Sequence, residues 1–239
     1  MNKSAKILTL LRYIPLVNLS MISLLILCFR LEIRVGAVDN FDKLSFLFSI
    51  SNQTIQDGHI LRLYTANLFH VNHGHLISNI SGLIFFSSIL EIIIGKSRFV
   101  IVVLLSSLGG TIGSLLFNIV EWMVGSSTIL FGTFGGLGAL LLKYRKEMNR
   151  FFIPTLIGWC VCLILLSTLG YISLEVVDQG AHIGGIVVGI ITTWIIVKSD
   201  YIMEIRPLRL RTVIFLIILL IAFVLSVAKE VIPLMSSIV

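Results

Sequence analysis

Apolar runs of about 20 residues, each long enough to cross a lipid bilayer, recur along almost the whole chain and are separated by charged or polar segments. This alternation predicts membrane-spanning helices. We place seven of them, at residues 13–30, 76–95, 98–120, 128–143, 151–172, 180–198 and 211–228. Only the segment between the first two helices, residues 31–75, is both long and polar. The pattern therefore predicts an all-α membrane protein with seven transmembrane helices.

The composition agrees with a protein that resides in a lipid bilayer. Of the 239 residues, 57% are hydrophobic and only 13% are charged, whereas about 25% of residues are charged in soluble domains. The net charge is +6, but no basic patch is interleaved with exposed aromatic residues, so we expect no nucleic-acid partner. The three cysteines lie in apolar runs without the spacing of a zinc or redox motif. We expect no metal and no other cofactor.

The distribution of Lys and Arg predicts the orientation of the helices. With a cytoplasmic N-terminus, 13 of the 18 basic residues fall in cytoplasmic segments, namely Lys3, Lys6, Arg12, Lys96, Arg98, Lys143, Arg145, Lys146, Arg150, Lys198, Arg206, Arg209 and Arg211. Basic residues are enriched on the cytoplasmic side of membrane proteins. We therefore expect a multi-pass protein of a bacterial plasma membrane, with its N-terminus inside and its C-terminus outside.

The segment 31–75 then lies on the outer side of the membrane. It mixes aromatic and aliphatic residues, among them Phe46, Phe48 and Tyr64, with Asp and Lys. Such a mixture is typical of a segment that lies in the membrane interface. A flexible linker would contain fewer aromatic residues.

Polar side chains inside spans are costly and therefore indicate function. His75 and Asn79 are four residues apart at the outer end of the second span, so they lie on one helix face. An equally open interpretation is that they bond each other or cap the helix. Glu91, near the cytoplasmic end of the same span, is better explained as a structural carboxylate that bonds a neighbouring helix or loop.

His182 lies near the start of the sixth span, beside a stripe of small residues formed by Ala181, Gly185 and Gly189. Such a stripe lets another helix approach closely. The fourth span offers a matching surface in its outer half, with Gly132, Gly135, Gly136, Gly138 and Ala139. We expect these two helices to pack almost backbone to backbone.

In this order and at these helix positions, the motifs resemble those of the rhomboid family of intramembrane serine proteases. The motifs are Arg62-x-x-Thr65, Phe69-His70, His75-x-x-x-Asn79, Glu91-x-x-x-Gly95, Gly132-Thr133-Phe134-Gly135 and Ala181-His182-x-x-Gly185. In the first of them, Leu61 precedes Arg62 where the family has tryptophan. The resemblance implies a rhomboid-like six-helix bundle with one additional C-terminal helix. Residues 1–57 would hold the first helix and the start of the interfacial loop, 58–198 the rhomboid-like core, and 199–239 a cytoplasmic linker and the seventh helix.

The resemblance also implies roles for single residues. The family's Gly-x-Ser-Gly box carries the nucleophilic serine, and this position aligns with Phe134. His182 would be the base, and His75 and Asn79 would donate hydrogen bonds to the oxyanion. Structural roles would fall to the remaining motif residues, His70, Arg62, Glu91, Gly95, Gly132, Gly135, Gly185 and Gly189. We expect Phe134 and His182 to face each other across one cavity with His75 and Asn79.

Phe134 has no nucleophilic atom, so this alignment removes the residue on which the chemistry depends. Thr133 carries a hydroxyl, but one residue along a helix rotates it by about 100°. Ser126 and Ser127 lie about two turns earlier and lack the glycine context.

The leading hypothesis is a catalytically inactive pseudoprotease that binds transmembrane segments of other membrane proteins. The alternative is an active intramembrane endopeptidase, either with Thr133 as a non-standard nucleophile or with the box misaligned. A transporter is disfavoured because paired broken helices and inverted repeats are absent from the sequence.

Overall fold

The computed structural model describes residues 14–117, 121–144 and 178–198. Within these ranges the regular secondary structure is helical, apart from one isolated antiparallel bridge between Ile50 and Met123. The described helices are α1 (Leu16–Val35), α2 (Phe41–Phe48), α3 (Asn52–Gln56), α4 (Arg62–Thr65) followed by a 3₁₀ turn (Ala66–Leu68), α5 (His73–Ile94), α6 (Lys96–Phe117), α7 (Ser127–Tyr144) and α8 (Gln179–Ile196).

Five of these helices, α1, α5, α6, α7 and α8, are long and apolar enough to cross a membrane. They correspond to the first, second, third, fourth and sixth predicted spans, so the prediction of an all-α, multi-pass integral membrane protein is confirmed. The predicted fifth and seventh spans, 151–172 and 211–228, lie outside the described residues. The largest difference at a helix end is in α1, which continues to Val35 rather than ending near residue 30.

Helix α8 packs against α7 through the predicted small residues. A Cβ atom added at Gly189 would overlap the carbonyl oxygen of Gly132, and one added at Gly185 would overlap the carbonyl oxygen of Thr128. A Cβ at Gly135 would lie 2.5 Å from the carbonyl oxygen of Ile186. The two backbones are therefore in direct contact, which only glycine at these positions allows.

The opposite side of α8 packs against α6 in the same way. A Cβ at Gly184 would overlap the carbonyl oxygen of Gly109, and a Cβ at Gly113 would overlap that of Gly180. Helix α8 is thus wedged between α6 and α7 by glycine contacts on both sides. The position of α8 along its axis, relative to α6 and α7, is consequently fixed.

Polar bonds hold the first helix to the second span. Both carboxylate oxygens of Glu91 accept from α1, one from the backbone N–H of Val17 at 3.0 Å and the other from that of Asn18 at 2.7 Å. These N–H groups belong to the first turn of α1 and have no partner inside that helix. The contact is that of a structural carboxylate bonding a neighbouring helix.

Helix α5 contains a π-helical stretch, Leu83–Ser87. The amide of Asn18 donates to the carbonyl oxygen of Leu83 at 2.8 Å and to the hydroxyl of Ser88 at 2.9 Å. The irregular stretch is therefore bonded to α1 from the outside. Helix α5 then ends at Gly95, whose φ of 81° suits a residue without a Cβ.

The long segment before α5 folds into the short helices α2, α3 and α4. Arg62 donates to the carbonyl oxygens of Ser49 at 2.9 Å and Phe46 at 3.0 Å, and so caps the end of α2. The side chains of Phe46 and Leu61 are 78% and 80% exposed. That this segment lies in the membrane interface stays a prediction.

Replacing Gly189 by Ala should lower the thermal unfolding temperature in detergent, because the added methyl group overpacks the α7–α8 contact at a cost of about 1–3 kcal/mol. Gly138, also within a helix, has open space around it among the described residues and is the matched control. Its replacement by Ala should stabilise the protein by up to about 1 kcal/mol through helix propensity. Equal unfolding temperatures for the two variants would contradict the packing described here.

Candidate active site

Helix α7 begins at Ser127, directly after a tightly held turn. Gly125 in this turn has a φ of 126°, which residues with a Cβ rarely adopt. Its backbone N–H donates to the carbonyl oxygen of Ala66 at 3.1 Å, and the bridge between Met123 and Ile50 holds the preceding residues. The turn ends the incoming segment abruptly and places Ser126 and Ser127 at the N-terminal end of the helix.

The side chains of His75 and Asn79 lie against this turn. A Cβ added at Gly125 would be 2.7 Å from Cε1 and 2.9 Å from Nε2 of His75, and 3.8 Å from Nδ2 of Asn79. Asn79 is buried, and among the described residues its Nδ2 has no hydrogen-bond partner. An unpaired buried donor is costly, so this amide group is a candidate for a functional role.

His70 completes the polar cluster from the segment before α5. Its Nε2 shares a hydrogen bond of 3.1 Å with the hydroxyl of Ser126, and its ring meets that of His75 edge to face at 5.1 Å. Burial, together with the nearby His75, lowers the pKa of His70 well below its ordinary value. The imidazole is therefore neutral at pH 7, with one ring nitrogen as donor and the other as acceptor.

His182 lies on the first turns of α8, and its ring stacks on that of Phe131 with centroids 4.0 Å apart. Phe131 is four residues after Ser127, about one helical turn. The contact between Gly185 and the carbonyl oxygen of Thr128 brings the start of α7 to the same turn of α8.

The two residues that the sequence alignment placed at the nucleophile occupy other surroundings. The ring of Phe134 packs edge to face against Phe86 of α5 at 5.5 Å and joins the hydrophobic core. The hydroxyl of Thr133 is fully buried, bonds that of Ser87 at 2.8 Å and donates to the carbonyl oxygen of Leu130 at 2.8 Å. The expectation that Phe134 faces His182 needs correction, because the aromatic ring against His182 is that of Phe131, nearly one turn closer to the N-terminal end of the helix.

Ser126 and Ser127 were not expected to be functional, yet Ser126 bonds His70 and follows Gly125, against which His75 and Asn79 lie. Ser127 is the next residue and the first of α7. A signal for them was present: Gly125 stands two residues before Ser127, and an aromatic residue follows one turn later. The arrangement combines a hydroxyl at a helix N-terminus, an imidazole and an unpaired amide donor. These are the components that nucleophilic attack on a carbonyl requires.

Comparison with known proteins gives a consistent picture. The rhomboid domain, as a family model, matches residues 57–199. Rhomboid protease GluP of Bacillus subtilis (strain 168) is 30% identical over 166 residues, which cover 69% of this chain and 31% of GluP. RHOMBOID-like protein 1 of Arabidopsis thaliana is 32% identical over 145 residues, covering 59% of this chain and 36% of that protein. Rhomboid-like protease 3 of Toxoplasma gondii is 28% identical over 133 residues, 54% of this chain and 49% of the relative. The matched part of the chain thus spans 31% to 49% of the length of these three curated relatives.

Replacing Gly125 by Ala should lower the unfolding temperature in detergent for two reasons. The backbone strain at its φ costs about 1–3 kcal/mol, and the added methyl group displaces His75. Gly58 is the matched control, since it also has a positive φ, of 86°, but open space around it among the described residues. We expect the Gly125 variant to lose clearly more stability than Gly58→Ala. An equal loss would show that His75 does not press against the turn.

Proposed function

Because the chain belongs to the rhomboid family, we propose that it is an active intramembrane serine endopeptidase, with Ser127 as nucleophile and His182 as general base. The observation that carries the proposal is the stacking of His182 on Phe131, one turn after Ser127 on α7. Ser127 is the first residue of α7 and directly follows Ser126, whose hydroxyl bonds His70. The hydroxyl of Thr133, by contrast, is already engaged with Ser87 and Leu130.

This assignment shifts the family's Gly-x-Ser-Gly box to Gly125-Ser126-Ser127-Thr128. Thr128 then replaces the last glycine, and its surroundings explain how a larger residue fits. Its hydroxyl donates to the amide oxygen of Asn67, and its methyl side fills the space above Gly110, where an added Cβ would lie 2.5 Å away. The departure from the pattern is therefore compensated by a glycine on α6.

In the proposed reaction, the hydroxyl of Ser127 transfers its proton to His182 while its oxygen attacks the carbonyl carbon of a peptide bond. The resulting oxyanion accepts hydrogen bonds from Asn79, from His75 and from backbone N–H groups in the first turn of α7, which lack partners inside the helix. Such donors contribute about 3–4 kcal/mol each to stabilising the transition state. His182 then protonates the leaving amine, and water releases the acyl group from Ser127 by the reverse proton transfers.

The substrates in this proposal are transmembrane segments of other membrane proteins, which reach the site within the lipid bilayer. We place the N-terminus in the cytoplasm and the site near the outer face of a bacterial plasma membrane, as the distribution of basic residues predicts.

A catalytically inactive rhomboid protein that binds such segments is the second candidate. The observation in its favour is that neither possible register contains a complete Gly-x-Ser-Gly box, since Thr128 interrupts one and Phe134 the other. Leu61 in place of the family's tryptophan is a further departure.

Cleavage of a reporter transmembrane substrate in liposomes separates the candidates. We expect the unmodified chain to cleave, and Ser127→Ala and His182→Ala each to lose activity by several orders of magnitude, on the order of a millionfold where background permits. Thr133→Val should retain activity, and Phe134→Ser should gain none. An unmodified chain that does not cleave, together with cleavage by Phe134→Ser, would instead support the inactive candidate and the deeper register.

Orientation is testable with an impermeant thiol reagent on intact cells, using a chain in which Cys28, Cys160 and Cys162 are replaced by Ala. Asp57→Cys should react from outside, because the segment before α5 is proposed to be extracytoplasmic. Lys198→Cys, at the exposed end of α8, is the matched control and should react only after the membrane is opened. The reverse pattern would invert the proposed topology.

A further inference from the structure

Three fully buried polar side chains are connected in series between the first helix and the start of α7. Glu32 of α1, His70 and Ser126 are each 0% exposed. The two carboxylate oxygens of Glu32 accept from the backbone N–H of His70 at 3.1 and 3.3 Å. The ring of His70 in turn bonds the hydroxyl of Ser126 at 3.1 Å. The series ends one residue before Ser127.

We propose that Glu32 is a positioning residue for the proteolytic reaction: by anchoring His70 it holds Ser126, and with it Ser127, in the geometry that His182 requires. The inference rests on the proposed function, because it concerns the alignment of the Ser127 hydroxyl. Glu32 acts through His70 and not directly on Ser127 or His182.

A buried carboxylate within a span is costly and is retained where it serves a purpose. Glu91 is the second buried carboxylate of the described spans, and its purpose is visible, since it caps two N–H groups of α1. Glu32 caps no helix. Its partner is a backbone amide 38 residues away in sequence, in a segment without regular structure.

The anchor acts on a residue that bonds Ser126 directly and reaches Gly125 through His75. The ring of His70 bonds Ser126 on one side and meets the ring of His75 on the other, and His75 lies against Gly125. Because Glu32 holds the backbone of His70 while the ring reaches the site, a shift of that backbone moves both contacts together. The bond from the N–H of Asp39 to the carbonyl oxygen of Val71 at 3.1 Å supports the same segment from the end of α1.

The decisive comparison is between Glu32→Gln and Glu32→Leu, measured as kcat and KM for a reporter substrate in liposomes. Gln keeps a carbonyl oxygen that accepts from His70, whereas Leu fills the space without an acceptor. We expect the Leu variant to lose about 100-fold in kcat with little change in KM, as a misplacement of roughly 1 Å produces, and the Gln variant to recover most of that loss. Equal kcat values for the Leu variant and the unmodified chain would overturn the inference.

Ser126→Ala tests the other end of the series and remains informative if Glu32→Leu does not fold. It should lower kcat in the same direction, and combining it with Glu32→Leu should cost less than the product of the separate effects, because the residues act through one contact. Unchanged kcat in Ser126→Ala, or strictly multiplicative losses, would overturn the inference. These outcomes can be distinguished from a failure of the proposed function. If the proposed function is wrong, the unmodified chain itself shows no cleavage that depends on Ser127.

Discussion

Helices α7 and α8 approach so closely that their backbones touch, and the placement of the site follows from this contact. Inside a bilayer, lipid tails are as apolar as leucine side chains, so helices associate through tight packing rather than through the hydrophobic effect. Here the contact runs from Thr128 against Gly185 to Gly132 against Gly189, with backbone touching backbone. Such a contact fixes the relative height of two helices, because shifting either one by a turn would bring a side chain into the place of a glycine.

The fixed axial position of α8 relative to α7 determines which residues contact His182. With Gly185 held at Thr128, the ring of His182 falls on Phe131 and the N-terminal end of α7 lies one turn away. The glycines facing α6, Gly109 and Gly113, hold α8 from its other side. At the C-terminal end of α8, Lys143 and Tyr144 donate to the carbonyl oxygen of Val197 at 2.9 and 2.8 Å. The helix that carries the imidazole is therefore restrained on both sides and at its C-terminal end.

Much of this architecture could be predicted from the sequence, because apolar length and small-residue spacing are directly visible there. The five described spans, the contact stripe of Gly185 and Gly189 and the family were all accessible in this way. The register of the serine box was not. The start of α7 was predicted to within one residue, but Gly125 and Gly132 are seven residues apart, and a glycine pattern fits the box at either position. Glu32 was missed for a related reason, since α1 was expected to end near residue 30 and the carboxylate then fell in a polar loop rather than in a buried turn.

Labelling with a fluorophosphonate tests the central assignment most directly, because the reagent reacts only with an activated hydroxyl and does not require a known substrate. After labelling of the protein in detergent or liposomes, the modified peptide is identified by mass spectrometry. We expect a phosphonyl group on Ser127 of the unmodified chain. The His182→Ala variant should not be labelled, and the Thr133→Val variant should be labelled like the unmodified chain. A label on Thr133, or no label on a folded protein, would contradict this assignment.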